Sequence, residues 1–151
     1  MTPTQYIISL SESTVTAFGR KDFSEQPEPQ QVFTAVFGSS GAIMMDGLAG
    51  YFANSDGESA SFVAKAYDII GSPARADILN RACAVVSKDP IPEAGDDREV
   101  LISSLSGEQL AELEELSDEF MMLPEEIDPL LLDYVRTLPE VFGDVPATIE
   151  E

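Results

Sequence analysis

The groups able to do chemistry in this chain are carboxylates. Of its 151 residues 28 are Asp or Glu, none is His and one, Cys83, is a cysteine. Without histidine there is no Ser-His-Asp triad, no Cys-His dyad and no imidazole base, and most transition-metal sites lose their usual ligand. Cys83 falls in a helical apolar pattern, which suits a core thiol better than a nucleophile. Asn54, Asp56 and Glu58 alternate like the start of a calcium loop, but the glycine and the distal Glu of that loop are out of place. Paired carboxylates can do acid–base work, yet acids are so abundant that no pair stands out. No phosphate-binding glycine loop is present. No catalytic residue, metal site or cofactor is therefore expected, and an enzyme is the least favoured class.

The remaining use of carboxylates is to meet cations, and one stretch is organised for it. Leu110, Leu113, Leu116, Phe120 and Leu123 recur at helical steps, with Ser106 placed as N-cap. Glu108, Glu112, Glu115 and Glu119 line another face, with Glu114 and Asp118 in a second row, and no Lys or Arg lies among them. A solvated helix ordinarily offsets Glu with a base one turn away. Like-charge neighbours each cost roughly 0.2–0.5 kcal/mol, so this face costs on the order of 1–2 kcal/mol. It spans about 16 Å at 1.5 Å per residue. A basic, phosphate-reading surface can take such a row for a nucleic-acid strand; the plain alternative is an acidic face kept for solubility.

Composition sharpens the contrast. The net charge is −20, and it is uneven: residues 93–151 hold 18 acids against two bases, residues 1–92 ten acids against six. Such a field disfavours DNA, RNA and anionic membranes as direct partners and favours basic protein surfaces. The single cysteine fits a reducing compartment, the first ten residues lack a signal-peptide pattern, and no segment reads as long enough to span a membrane. A cytoplasmic protein is expected.

The elements that must position these groups are helices. Residues 1–18 fit helix or strand, and 20–30 read as a loop. Pro29 opens a short helix carrying Val32, Phe33, Val36 and Phe37, ended by Gly38, with a break over Ser39–Gly41. Ala42–Ala53 is helical, its Gly47 and Gly50 marking close packing or a non-helical start. Asn54–Gly57 is a turn. A helix from Glu58 or Ser59 presents Phe62, Val63, Ala66, Tyr67 and Ile70 and stops at Gly71. Ser72-Pro73 caps the next, which ends near Lys88. Residues 89–97 read as an exposed loop, and Arg98–Leu105 as a short helix. After the acidic stretch come the turn acids Glu125 and Glu126, then a helix capped by Asp128 that carries Leu130, Leu131, Asp133, Tyr134 and Val135. The fold class is all-α: a compact multi-helix domain with an acidic C-terminal helical pair. Residues 1–40 form an N-terminal segment packing on the core, 41–143 the main helical domain, and 144–151 a flexible acidic tail.

The run from Asp46 to Glu58, Asp-Gly-Leu-Ala-Gly-Tyr-Phe-Ala-Asn-Ser-Asp-Gly-Glu, resembles the signature of a bacterial family named for an acidic DNA-mimic protein and otherwise catalogued as a domain of unknown function. That signature is roughly Asn-Gly-Gly-Phe-x-Gln-Tyr-Phe-x-Asn-Ser-Ser-Gly-Asp. The motif positions here are Asp46, Gly47, Tyr51, Phe52, Asn54, Ser55 and Gly57; among the departures, Met45 and Asp46 replace Asn-Gly, Leu48 replaces Phe and Gly50 replaces Gln. The likeness continues through Ala64–Leu79 and returns in Leu113–Gly143. It implies an all-helical, mainly single-domain protein, often a homodimer, whose characterised type occupies the DNA-binding face of a transcription factor.

The expected function is thus an acidic protein-binding module, a DNA mimic that occupies a basic DNA-binding protein, using Glu108, Glu112, Glu114, Glu115, Asp118, Glu119, Glu125, Glu126 and Asp133. The alternatives are an immunity or antitoxin-type inhibitor of a basic toxin enzyme, and an acidic helical domain without mimicry.

Overall fold

A computed structural model describes residues 1–146. Among them there is no strand and there are eight α-helices, the second the longest, so the molecule is all-α. α1 (Pro3–Glu12) is opened by a capping box in which Thr2 and Gln5 bond each other's backbone N–H. This settles the first segment as helix. A 3₁₀ turn at Phe23–Glu25 follows, then α2 (Glu28–Ala53), α3 (Val63–Ile69), α4 (Pro73–Val86), α5 (Gly95–Ser103), α6 (Gly107–Met122), α7 (Ile127–Arg136) and α8 (Pro139–Phe142).

α2 corrects the sequence reading most. The break expected over Ser39–Gly41 does not occur: 26 residues form one element that crosses the 40/41 division. Gly38 and Ser39 are buried because neighbours come close. A Cβ on Gly38 would stand 2.8 Å from Asp56 Oδ1. Ser39 Oγ bonds the Val36 carbonyl at 3.3 Å and the Tyr67 hydroxyl at 2.9 Å. Small residues that weaken an isolated helix here let it pack, and packing decides. At that length α2 is also long and apolar enough to cross a membrane by composition, contrary to expectation, with half of the qualifying window buried inside the fold.

The interruption sits instead at Gly47, with φ +73° and ψ −179°. That region is nearly exclusive to glycine. Beyond the kink the helix resumes and places Leu48, Tyr51 and Phe52 in the core with no exposed surface. Asn54 closes α2, its Oδ1 accepting the Asp56 N–H at 2.8 Å, and residues Ser55–Ser59 make a 3₁₀ turn. α3 therefore begins at Val63 and not at Glu58 or Ser59.

Other boundaries shift for local reasons. Ser72 is the N-cap position of α4, but its ψ of 70° takes the hydroxyl off the helix, and Oγ is buried without a partner. α5 starts three residues before Arg98. α7 is entered from Glu126 instead of Asp128, whose carboxylate accepts the Thr4 hydroxyl at 2.6 Å and ties α7 to α1. The C-terminal helices do not pack as a pair. α6 lies on α2 and α4, whereas α7 lies on α1, α2 and α8. Most of the expected tail, 147–151, lies outside the described residues.

Candidate protein-interaction face

α6 is built as the sequence indicates. Ser106 Oγ accepts the Gln109 N–H at 3.1 Å, and Gln109 Oε1 accepts the Ser106 N–H at 2.8 Å. This capping box leaves the helix start well defined. Leu113, Leu116, Ser117 and Phe120 are buried, while Leu110, expected on the same face, is 41% exposed. Ser117 supplies the polar link: its hydroxyl accepts the Leu48 N–H at 2.9 Å and donates to the Leu113 carbonyl at 2.8 Å. Gly47, just before Leu48, brings that N–H within reach, so the kink in α2 seats α6.

With that face inward, Glu108, Glu112, Glu114, Glu115, Asp118 and Glu119 all stand exposed. They form an outward row, not a chelate: among the described residues no three acidic, Cys or His side chains are grouped to hold a metal ion. Glu125 and Glu126 are exposed in the turn before α7, and Asp133 is exposed on α7. Because α7 does not lie along α6, Asp133 belongs to a different part of the surface from the α6 row.

Two of the nine carboxylates are not free of bases. Arg81 of α4 reaches Glu119 at 3.2 Å while also holding Asp77 at 3.0 Å. Arg136 meets Asp133 at 3.4 Å. Both are solvent-exposed pairs of the kind worth roughly 0–1 kcal/mol, so a stronger partner can displace them. Among the described residues no ion pair reaches the other seven.

Sequence reasoning missed Arg98. It reads only as the first residue of a short helix after an exposed acidic loop, yet it is 1% exposed. Its Nε donates to the Phe52 carbonyl at 2.8 Å and its Nη2 to the Asn54 carbonyl at 2.9 Å, while Nη1 donates to the carbonyls of Pro92 and Glu93. Phe52 and Asn54 close α2, so the guanidinium caps that helix where its dipole is negative. Gly57 makes room for it: a Cβ there would lie 2.6 Å from Arg98 Nε and 2.6 Å from the Phe52 carbonyl. The motif residues thus do structural work. Tyr51 and Phe52 are core, with the Tyr51 hydroxyl 2.8 Å from Ser59 Oγ, and Asn54 and Gly57 shape the Arg98 pocket. Of the replaced positions, Gly50 lies under the Asp46 side chain, and a Cβ there would meet Asp46 Cβ at 2.3 Å. The available signal was Asn54-Ser55-Asp56-Gly57 itself, a tight turn that exposes carbonyls needing a donor.

Cys83 is half-buried, its Sγ 3.7 Å from the Ala60 carbonyl. Burial pushes the thiol up to about 11, which keeps it protonated and inert near neutrality.

A family model described as DMP19-like protein matches residues 24–138. The chain belongs to the DMP19-like family. The match takes in α2 to α7 and so covers the Arg98 pocket and the whole α6 row. Comparison with curated proteins and with solved structures gives no significant match.

Proposed function

We propose that this DMP19-like chain is a protein-binding module whose α6 face stands in for a nucleic-acid strand, occupying the basic DNA-binding face of a partner such as a transcription factor. The observation that carries the reading is the row Glu108, Glu112, Glu114, Glu115 and Asp118, exposed, unpaired among the described residues and fixed on one capped helix. From Glu108 to Glu119 six acids occupy 12 positions. Averaged over the two rows at 1.5 Å rise per residue, that is one charge per ~3 Å of axis, a linear density close to that of one DNA strand at 3.4 Å per phosphate. Each carboxylate can accept an Arg or Lys donor of the partner, and Arg can take one bidentately. The family name agrees, since DMP19 is named as a DNA-mimic protein. In this reading the chain does no catalysis.

The test is capture from a lysate of the native host on immobilised chain. Basic DNA-binding proteins should be retained at low salt, released as salt rises and displaced by added duplex DNA. The triple variant Glu108→Gln, Glu112→Gln, Glu115→Gln should retain far less. Capture indifferent to salt, to duplex competitor and to the triple variant would refute the proposal.

A further inference from the structure

A second surface lies beside the acidic row and is of a different character. An open groove of about 800 Å³ runs between α1 and the α6–α7 turn, with α2 as its floor. Ile8, Phe37, Met44, Met45, Met121 and Leu123 line it. Met44 and Met45 are 74% and 83% exposed, and Met122, next to Met121, is 81% exposed. Consecutive methionines left in water on the middle of a long helix gain nothing for the fold. Flexible thioethers do suit a surface that must mould to another apolar face.

The groove's charge says what that face must carry around it. Asp46, Asp56, Glu125, Glu126 and Asp128 line the groove together with the apolar residues. The one cation lining it is Arg75, which is buried with its guanidinium 5.2 Å from the Phe120 ring centre. The occupant is therefore apolar at the centre and cationic at the edges. The floor gives its shape. From Phe37 to Met45 α2 offers about 12 Å of length, and Gly41, exposed and with nothing within 4 Å of a built Cβ, leaves it low enough at its middle for another backbone to approach. That length matches two turns of a helix laid alongside, the helix-in-groove mode of recognition.

We propose that this groove docks an amphipathic helix of a protein partner, with its apolar stripe on Met44, Met45 and Met121 and its Lys or Arg flanks on Asp46, Glu125 and Glu126. The site goes beyond the α6 row and does not require it, since a groove selects an apolar stripe that no phosphate-like row can read.

The probes are two 14-residue peptides of identical Leu and Lys content, one with leucines at helical spacing and one scrambled, titrated by calorimetry into the full chain at about 0.15 M salt. The amphipathic peptide is expected to bind one-to-one, at least tenfold tighter than the scrambled one, and to shift the methyl resonances of Met44, Met45 and Met121. Met45→Glu and Met44→Glu change exposed positions and add negative charge, so they strengthen any purely electrostatic attraction to Lys. The proposal expects them to weaken binding at least tenfold. Equal binding of the two peptides, or Glu variants that bind as well or better, overturns it. Self-association that Met45→Glu abolishes would give the groove to a second copy and overturn it too. The variant Glu108→Gln, Glu112→Gln, Glu115→Gln should keep the preference for the amphipathic peptide; loss of that preference would place the peptide on α6 and end the groove proposal. Retention of the preference together with salt-indifferent capture in the lysate test would refute mimicry alone.

Discussion

Replacing Arg98 with Met removes four donated hydrogen bonds while keeping an unbranched side chain of similar reach. The cost can be worked from the acceptors. The Asn54 carbonyl keeps a second donor, the Gly57 N–H at 3.1 Å. Those of Pro92 and Glu93 lie in a loop that can open to water. The Phe52 carbonyl is walled in by the same close packing that forbids a side chain at Gly57. A stranded buried acceptor costs roughly 1–3 kcal/mol, and a hydrogen bond from a charged donor is worth about 1.5–3 kcal/mol. With one carbonyl stranded and two released with their loop, the loss should be about 3 kcal/mol. For a chain of this size that lowers Tm by about 6–12 °C. Urea denaturation followed by circular dichroism gives the free energy, and amide exchange should quicken across residues 87–94, the loop that Arg98 ties down. Arg98→Lys keeps the charge but not the planar fork, and should recover only part of the loss. An Arg98→Met protein within about 0.5 kcal/mol of the parent, with unchanged exchange in that loop, would show that the guanidinium does not hold the end of α2.

Gly47→Ala should destabilise by roughly 1–3 kcal/mol, because φ +73° with ψ −179° is a glycine conformation; the neighbouring Ser117 Oγ, 3.5 Å from a built Cβ, adds no clash, so a neutral result in urea denaturation would sink the conformational account. Glu112→Gln with Glu115→Gln removes four like-charge contacts within α6 (Glu108–Glu112, Glu112–Glu115, Glu115–Asp118 and Glu115–Glu119) and should stabilise the free chain by about 1–2 kcal/mol at ~0.01 M salt, a gain that fades towards ~1 M as screening shortens to about 3 Å. Denaturation at the two salt levels measures it, and a gain independent of salt would refute a Coulombic origin. Cys83 should resist iodoacetamide at pH 8 in the folded chain, where a thiol at about 11 is ionised in about one molecule per thousand, and react promptly in urea. The sign for stability follows from the raised value: the unfolded thiol, near its ordinary 9.0, ionises first, so the contribution of Cys83 is intact below pH 9 and declines up to about pH 11.

What the sequence disclosed was whatever is encoded within a few residues. The Ser106 cap of α6, its acidic row and its apolar face all follow from local spacing, and the structure keeps them except at Leu110, which is exposed. What it hid depends on residues far apart in the chain. Gly38-Ser39-Ser40-Gly41 reads as a break because propensity is local; only the approach of Asp56 and Tyr67 makes smallness an advantage there. The role of Arg98 is hidden because nothing nearby in sequence announces that carbonyls 44 and 46 positions earlier need a donor. Arg81 and Glu119, 38 residues apart, were invisible as a pair for the same reason.

The Asp46–Gly57 motif and the acidic row are joined through Leu48, whose N–H is held by Ser117 on the inner side of α6. Removing that hydroxyl leaves a buried N–H without its acceptor, at roughly 1–3 kcal/mol, and frees α6 to shift against α2. Ser117→Ala should therefore lower stability by about that amount. It should also weaken capture of basic proteins, although no charge has been altered. Ser117→Thr keeps the hydroxyl and should restore the bond if its methyl is accommodated. If Ser117→Ala lost stability but bound as well as the parent at a temperature where both are folded, the acidic row would be acting as a diffuse charge, and the rigidity of α6 would have no part in recognition.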